Sequence, residues 1–409
     1  MSKDKVHYEP AAESDSDCEV RIHACLAKAS LDDLRSATGG KPHTAEVLHF
    51  DRGDLQLSNE RASLHKALGG SFDQMGFEKL TTALEARAAL VGLSPTQVEK
   101  TYSQLTRIAE KKGDGPVSAG NRKLLIQQFM THLGEDAPVL SGGADTCDWG
   151  VLAYRMMRKE PEVLAKMVAD LVITSGFTMP NGRHIHIDNK SLQPDENARK
   201  NSPVLRDYFS QVATVGLNSV KWSTQSVDPT GAAVKRGALH FQQLPKFSGH
   251  DLGERVWKSE QGKLVVFGSQ KRGSVGGIAY LDDIQRVETL LTGRKHSDYA
   301  VFLKEPNTTG RNEVSSPAEM VTALKAMKDN GVLPAVVQAY ADKSPVREIY
   351  LKGSPHEPKA PDTFHGLAVV DVKDVEGKAR ATVYNPWGVV SEVSVDTLFD
   401  ALSAKPKTP

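Results

Sequence analysis

The chain of 409 residues, with 39% hydrophobic residues and 51 basic against 51 acidic side chains, is long enough for two or three globular domains with sizeable cores. Zero net charge gives no electrostatic reason to expect nucleic acid or an anionic membrane as a partner. Three cysteines, Cys18, Cys25 and Cys147, cannot all pair and point to a thiol-keeping compartment rather than a disulfide scaffold. The N-terminal segment lacks the apolar stretch of a secretory signal, and no apolar run approaches the roughly 18 to 20 residues of a membrane span. The expectation is a cytoplasmic protein, or one exported without a classical signal peptide.

Residues 1–20 are acidic and Ser-containing, the composition of a disordered end. Residues 21–138 read as a helical N-terminal region. Phe77, Leu80, Leu84 and Val91 recur at helical spacing, and Ser94, Pro95 and Gln97 read as N-cap, first-turn proline and capping-box partner of the next helix. Lys111 to Gly120 reads as a linker, and a further helix carries Leu124, Leu125, Phe129 and Leu133. A domain over 139–404 follows, with 405–409 as a tail. It opens with small residues before a helix whose Trp149, Leu152, Ala153, Met156 and Met157 form one apolar face, with Cys147 at its N-terminus. There the unpaired backbone N–H groups and the positive end of the helix dipole favour a thiolate and can face a developing oxyanion.

Another helix carries Val163 to Leu171, Asn181-Gly182 marks a tight turn between short strands, and a helix is expected over Val204 to Val215. Strands are predicted at Leu264 to Phe267, Tyr299 to Leu303, Leu333 to Tyr340 and Glu348 to Leu351, with helices at Asp282 to Leu291 and Ala318 to Met327. The last strong signal is TFHGLAVVDVKDVEGKARATVYNPW, Thr363 to Trp387, which reads as two strands around the polar, glycine-containing Lys373 to Lys378. His365 opens the first strand and Asn385 closes the second, so a symmetric hairpin sets them opposite each other. The Asn oxygen then holds the imidazole by one nitrogen and leaves the other to work on a thiol.

Asn385-Pro386-Trp387-Gly388, with His365-Gly366 before it and Cys147-Asp148-Trp149 far upstream, resembles the papain-like cysteine peptidases, most closely the calpain-type core. The resemblance implies an α+β, two-lobed fold with a helical lobe bearing the Cys and an antiparallel β lobe bearing the His and Asn. It implies Cys147 as nucleophile, His365 as base, Asn385 as orienter and Trp387 as a cover over the His/Asn bond. It also implies a His-paired thiolate, a protein or peptide substrate and no cofactor. Where the family has Trp directly after the Cys, this chain has Asp148; where it has an oxyanion Gln six residues before, this chain has Ser141. Ser141, Gln127 and Gln128 are the candidate oxyanion donors.

The expected activity is peptide-bond cleavage through a Cys147 acyl-enzyme. The same triad also suits a thiol acyltransferase or transglutaminase, or a glutamine deamidase, and the two departures leave open a catalytically degenerate interaction module. His184, His186 and Asp188 alternate as metal ligands on a strand would, but a solvated strand face is the simpler reading, and no metal is assigned. Gly273 to Gly277 lacks the glycine spacing and Lys of a phosphate loop.

Overall fold

The computed structural model describes residues 53–70, 74–135, 139–140, 147–187, 189–194, 198, 206–224, 239–243, 254–260, 263–267, 281–296, 298–304, 312–340, 364–386 and 388–402. All belong to the compact unit Gly53–Pro409. The described elements mix helix and strand, the α+β class. Among the described residues no helix is long and apolar enough to cross a membrane.

Four helices come first: α1 (Gly53–Leu68), α2 (Gln74–Leu90), α3 (Pro95–Glu110) and α4 (Ala119–Gly134). The capping box at α3 is formed as its sequence predicts, Ser94 accepting from the Gln97 backbone while Gln97 accepts at the Ser94 N–H. The Gln97 amide also donates to the Lys159 carbonyl at 2.8 Å, tying α3 to the end of a later helix. The linker before α4 is fastened from inside, because buried Arg122 donates to the carbonyls of Lys111, Gly113 and Val117.

Next come α5 (Cys147–Lys159) and α6 (Pro161–Thr174), then the short pair β1 (Gly176–Thr178) and β2 (His184–His186) around the Asn181-Gly182 turn. Gly182 has φ of 78°, the left-handed value for which glycine is suited. The helix expected over Val204 to Val215 is α7, Tyr208–Thr224, beginning later and running longer. A three-stranded antiparallel sheet follows, β3 (Leu239–Gln243), β4 (Glu254–Glu260) and β5 (Lys263–Phe267), then α8 (Leu281–Thr292). The strand expected over Tyr299 to Leu303 shrinks to β6 (Phe302–Leu303), paired in parallel with β7 (Glu313–Val314). The expected strand Glu348 to Leu351 lies outside the described residues.

The last third is α9 (Pro317–Asp329), β8 (Ala335–Tyr340), β9 (Phe364–Val375), β10 (Lys378–Asn385), β11 (Val389–Ser394) and α10 (Val395–Ala401). The four strands make one antiparallel sheet in the order β11-β10-β9-β8. One face buries Val337, Ala339, Leu367, Val369, Ala381 and Val383 under α9 and α10. The other face, with Val336, Ala368 and Tyr384, joins a core that runs back to Leu64 in α1.

Helix α5 is the centre of that core. Its sequence suggests one apolar face, yet every residue from Asp148 to Met157 is buried, as in a helix enclosed on all sides. It meets the sheet through small residues and one aromatic stack. Tyr154 stacks on Tyr384 with ring centroids 3.9 Å apart, and the Tyr384 hydroxyl donates to the Val139 carbonyl at 2.6 Å. Tyr384→Ala is therefore expected to lower unfolding stability by about 3–5 kcal/mol, and Tyr384→Phe by about 1 kcal/mol, in urea titrations.

Candidate functional site

The hairpin carrying His365 turns at Glu376-Gly377, both with positive φ (52° and 76°), the two-residue turn that suits strand twist. Its register corrects the expected opposition of His365 and Asn385. Pairs run from Lys378 with Val375 to Thr382 with Asp371, shift by a bulge, and continue as Val383 with Val369 and Tyr384 with Ala368. One further step sets Asn385 level with Leu367, two residues along β9 from His365. Such a diagonal leaves roughly 7–8 Å between backbones, and the two side chains close it. His365 Nε2 and Asn385 Oδ1 are 2.8 Å apart, with both residues buried.

Asn385 is fixed by the motif it begins. Its carbonyl accepts from the Gly388 N–H at 3.0 Å, closing a four-residue turn with Pro386 at the second position and Gly388 at φ 91°. This turn delivers the chain from β10 to β11 and leaves the Asn385 side chain at the strand end. Trp387, the expected cover, lies outside the described residues, as do Ser141, Asp188, the Gly273 to Gly277 stretch, Cys18 and Cys25. His184 and His186 are exposed on β2, with Ile185 buried between them.

Cys147 is the first residue of α5, as its sequence position predicts. The helix axis runs along the sheet: Asp148 lies against Gly366, Gly150 against Pro386, Tyr154 against Tyr384, and Arg155 reaches the Val332 and Pro334 carbonyls before β8. Its N-terminus therefore points past the sheet end where His365 and Asn385 lie. A Cβ on Gly366 would stand 3.0 Å from Asp148 Cα and 2.5 Å from its Oδ1. Adding one chain step on either side bounds the Cys147–His365 Cα separation at about 12 Å. The pleat sends His365 to the opposite face from Gly366, so thiol and imidazole can meet only around the sheet end, at the first residues of β9.

Asp148, read from sequence only as a departure from the family pattern, has a structural role. It is buried, its Oδ1 accepts from Gln338 Nε2 at 2.8 Å, and Gln338 pairs across the sheet with Gly366. Lys221 of α7, buried and 3.3 Å from Asp283, also feels the Asp148 charge. Burial lowers the Lys221 pKa, while Asp283 and Asp148 pull it back up. Nothing local in the sequence marks this group, whose members come from α5, β8, α7 and α8. Of the oxyanion candidates, Gln128 accepts from the Phe209 N–H at 3.0 Å, and Gln127 is exposed.

Burial pushes the His365 pKa down to about 4, and the bond to Asn385 offsets only part of this. The imidazole is therefore neutral in the folded chain at neutral pH. A cleft of about 580 Å³ lies elsewhere, at the C-terminal end of α5, lined by Arg155, Lys159, Glu160, Arg294 and His296. Twelve residues of helix at 1.5 Å each put it about 18 Å from Cys147, so it is distinct from the His/Asn end of the sheet. In it the Glu160 pKa is raised to about 7 by burial and then by Glu288, against the pull of Arg294.

Two measurements follow from this geometry. Between about pH 6.5 and 4 the unfolded chain protonates His365 and the folded chain does not, so this residue's contribution falls as pH drops through that window. Glu160 acts oppositely between its ordinary carboxylate range and about pH 7. The stability difference between wild type and His365→Gln is therefore the clean readout, and it should shift against wild type by about 3 kcal/mol from pH 7 to pH 4. In the second, Gly366→Ala should cost about 1–3 kcal/mol in urea titration, since its methyl meets Asp148 backbone as well as side chain. An unchanged midpoint would mean that α5 does not approach the sheet this closely.

No family model, curated protein or solved structure matches the chain, so the chemistry of this site stands on its own residues.

Proposed function

We propose that the chain is a papain-like cysteine peptidase with a two-lobed core, in which Cys147 attacks a peptide carbonyl, His365 is the general base and Asn385 orients it. The observation that carries this reading is the buried His365–Asn385 hydrogen bond at the end of the sheet past which the N-terminus of α5, with Cys147, points. A histidine held through Nε2 works through Nδ1. A third group that fixes the ring in this way is the recurring partner of a nucleophile and base.

The reaction begins from a neutral pair. As Cys147 Sγ forms its bond to the substrate carbonyl carbon, the thiol proton passes to His365, and the carbonyl π electrons move onto oxygen. Backbone N–H groups in the first turn of α5, unpaired within the helix, face that oxyanion. When the tetrahedral intermediate collapses, the C–N bond breaks and His365 gives its proton to the leaving amine. Water, deprotonated by the same imidazole, then hydrolyses the thioester and restores the thiol. Transfer to another amine, or release of ammonia from a glutamine side chain, would use the same thioester.

The test is to incubate a cell proteome with wild type and with Cys147→Ala and to map new termini, crosslinks and deamidation by mass spectrometry. Wild type should create termini that Cys147→Ala does not, with on the order of 10⁴-fold or greater loss in rate. His365→Ala should lose nearly as much, and Asn385→Ala less, because Asn385 transfers no proton. Crosslinks or deamidation in place of new termini would move the assignment to acyl transfer or deamidation. Equal products from wild type and Cys147→Ala would remove the triad altogether.

A further inference from the structure

We propose that Glu160, Glu288 and His296 form a binding site for one divalent cation of the zinc or manganese class, open to the cleft at the C-terminal end of α5. This goes beyond the peptidase reading and does not depend on it. One ligand atom from each residue lies within 4.8 Å of the other two, and the three residues come from separate places. Glu160 is the N-cap residue of α6 and makes no side-chain cap bond, Glu288 belongs to α8, and His296 follows the Gly293 turn that ends α8. Ligands about 2.0–2.2 Å from a tetrahedral ion stand about 3.5 Å apart, so closure needs roughly 1 Å of side-chain movement.

The sign that this cluster lacks something is Glu160. The residue is 4% exposed, and its Oε2 is buried with no hydrogen-bond partner. A buried carboxylate oxygen left in that state is costly, and a cation held by this carboxylate would offset that cost. The other oxygen faces Arg294, whose side chain is 65% exposed, and His296 Nε2 at 3.5 Å. An exposed arginine is a weak tether that an entering cation can displace.

Glu288, by contrast, is held as an oriented ligand. Arg155 Nε lies 3.2 Å from both of its oxygens, while the same guanidinium donates to the Val332 and Pro334 carbonyls at 2.7 and 2.6 Å and lies 3.7 Å over the Tyr299 ring. Such outer contacts fix ligands in metal sites. They leave two carboxylates against one immobile cation, with Arg294 supplying from solvent part of the charge that a metal would bring. Two carboxylate oxygens and an imidazole, with further positions facing an aqueous cleft, suit zinc or manganese.

Mn²⁺ is the probe for the test, because it favours oxygen and imidazole and leaves the three thiols aside. Free Mn²⁺ is followed by electron paramagnetic resonance as the full chain is titrated. Wild type should bind one equivalent that Zn²⁺ displaces. Glu160→Gln and His296→Ala should each weaken binding at least about tenfold. Arg294→Ala, at an exposed position, should keep the fold and tighten binding by about threefold or more, because a competing cation is gone. The proposal is overturned by the absence of stoichiometric binding to wild type, by binding that survives Glu160→Gln and His296→Ala, or by weaker binding in Arg294→Ala. Should the first two variants fail to fold, as judged by circular dichroism, Arg294→Ala decides alone.

Discussion

The close approach of α5 to the sheet at Gly366 is the constraint on which the rest of the molecule depends. A helix whose ten residues from Asp148 to Met157 are all buried needs surroundings on every side. Those surroundings come from α6, α7, α8 and the strands β9 and β10. At Gly366 the strand meets both the Cα and the carboxylate of Asp148, and Gly150 meets the Pro386 ring and the Val139 carbonyl, so neither glycine has room for a side chain of its own. Moving either strand or helix by a methyl group would therefore shift Cys147 relative to His365, and the packing that stabilises the fold also sets the geometry of the proposed chemistry.

Asp148 stands where the papain-like pattern that the sequence resembles has Trp, and the structure gives it partners of its own. A carboxylate beside a nucleophilic thiol raises the cost of a thiolate by like-charge repulsion. Here the charge is spent locally: one oxygen takes the Gln338 amide, and the buried Lys221 ammonium lies within electrostatic reach. The residue also stands in the first turn of α5, where the helix dipole favours an anion. Asp148 thus joins helix, sheet and α7 at the N-terminus of α5, next to Cys147.

Features governed by neighbouring residues were legible in the sequence, and those governed by distant ones were not. Ser94 and Gln97 lie three residues apart, and their capping box is formed; Asn181-Gly182 turns between two short strands; and α8, α9 and β8 fall close to their periodic signals. Helix α7 was mistaken in extent because Ser210, Thr214, Asn218 and Lys221 are buried polar residues, so it carries no clean apolar stripe. The one-faced reading of α5 failed for the complementary reason, since Asp148 and Arg155 look like surface residues until Gln338 and Glu288 arrive from 190 and 133 positions away. In the candidate site, the joining of His365 to Asn385 followed from hairpin symmetry, but the turn at Glu376-Gly377 and the bulge at Thr382/Val383 changed the direct pair to a diagonal.

The energetics of the proposed reaction lie close to balance. Moving a proton from an ordinary thiol, near 8.5, to an imidazole whose burial holds it at about 4 is uphill by about 6 kcal/mol before the two charges interact. Were the two to meet at about 4 Å around the sheet end, a thiolate and imidazolium would regain about 4 kcal/mol at an effective dielectric near 20, and a helix N-terminus would add up to about 2 kcal/mol. On that reckoning the proposed pair would rest close to neutral, unlike the preformed ion pair that the family resemblance implies. Substrate binding would act directly on that balance. A peptide bound at the sheet end would lower the local dielectric and strengthen the attraction between the charges. In the proposed reaction its carbonyl also accepts the electron pair, so negative charge passes from sulfur to an oxygen at the N-terminal end of the α5 dipole. On the proposed reading, a buried, Asn-held histidine favours activation of Cys147 by substrate rather than in its absence.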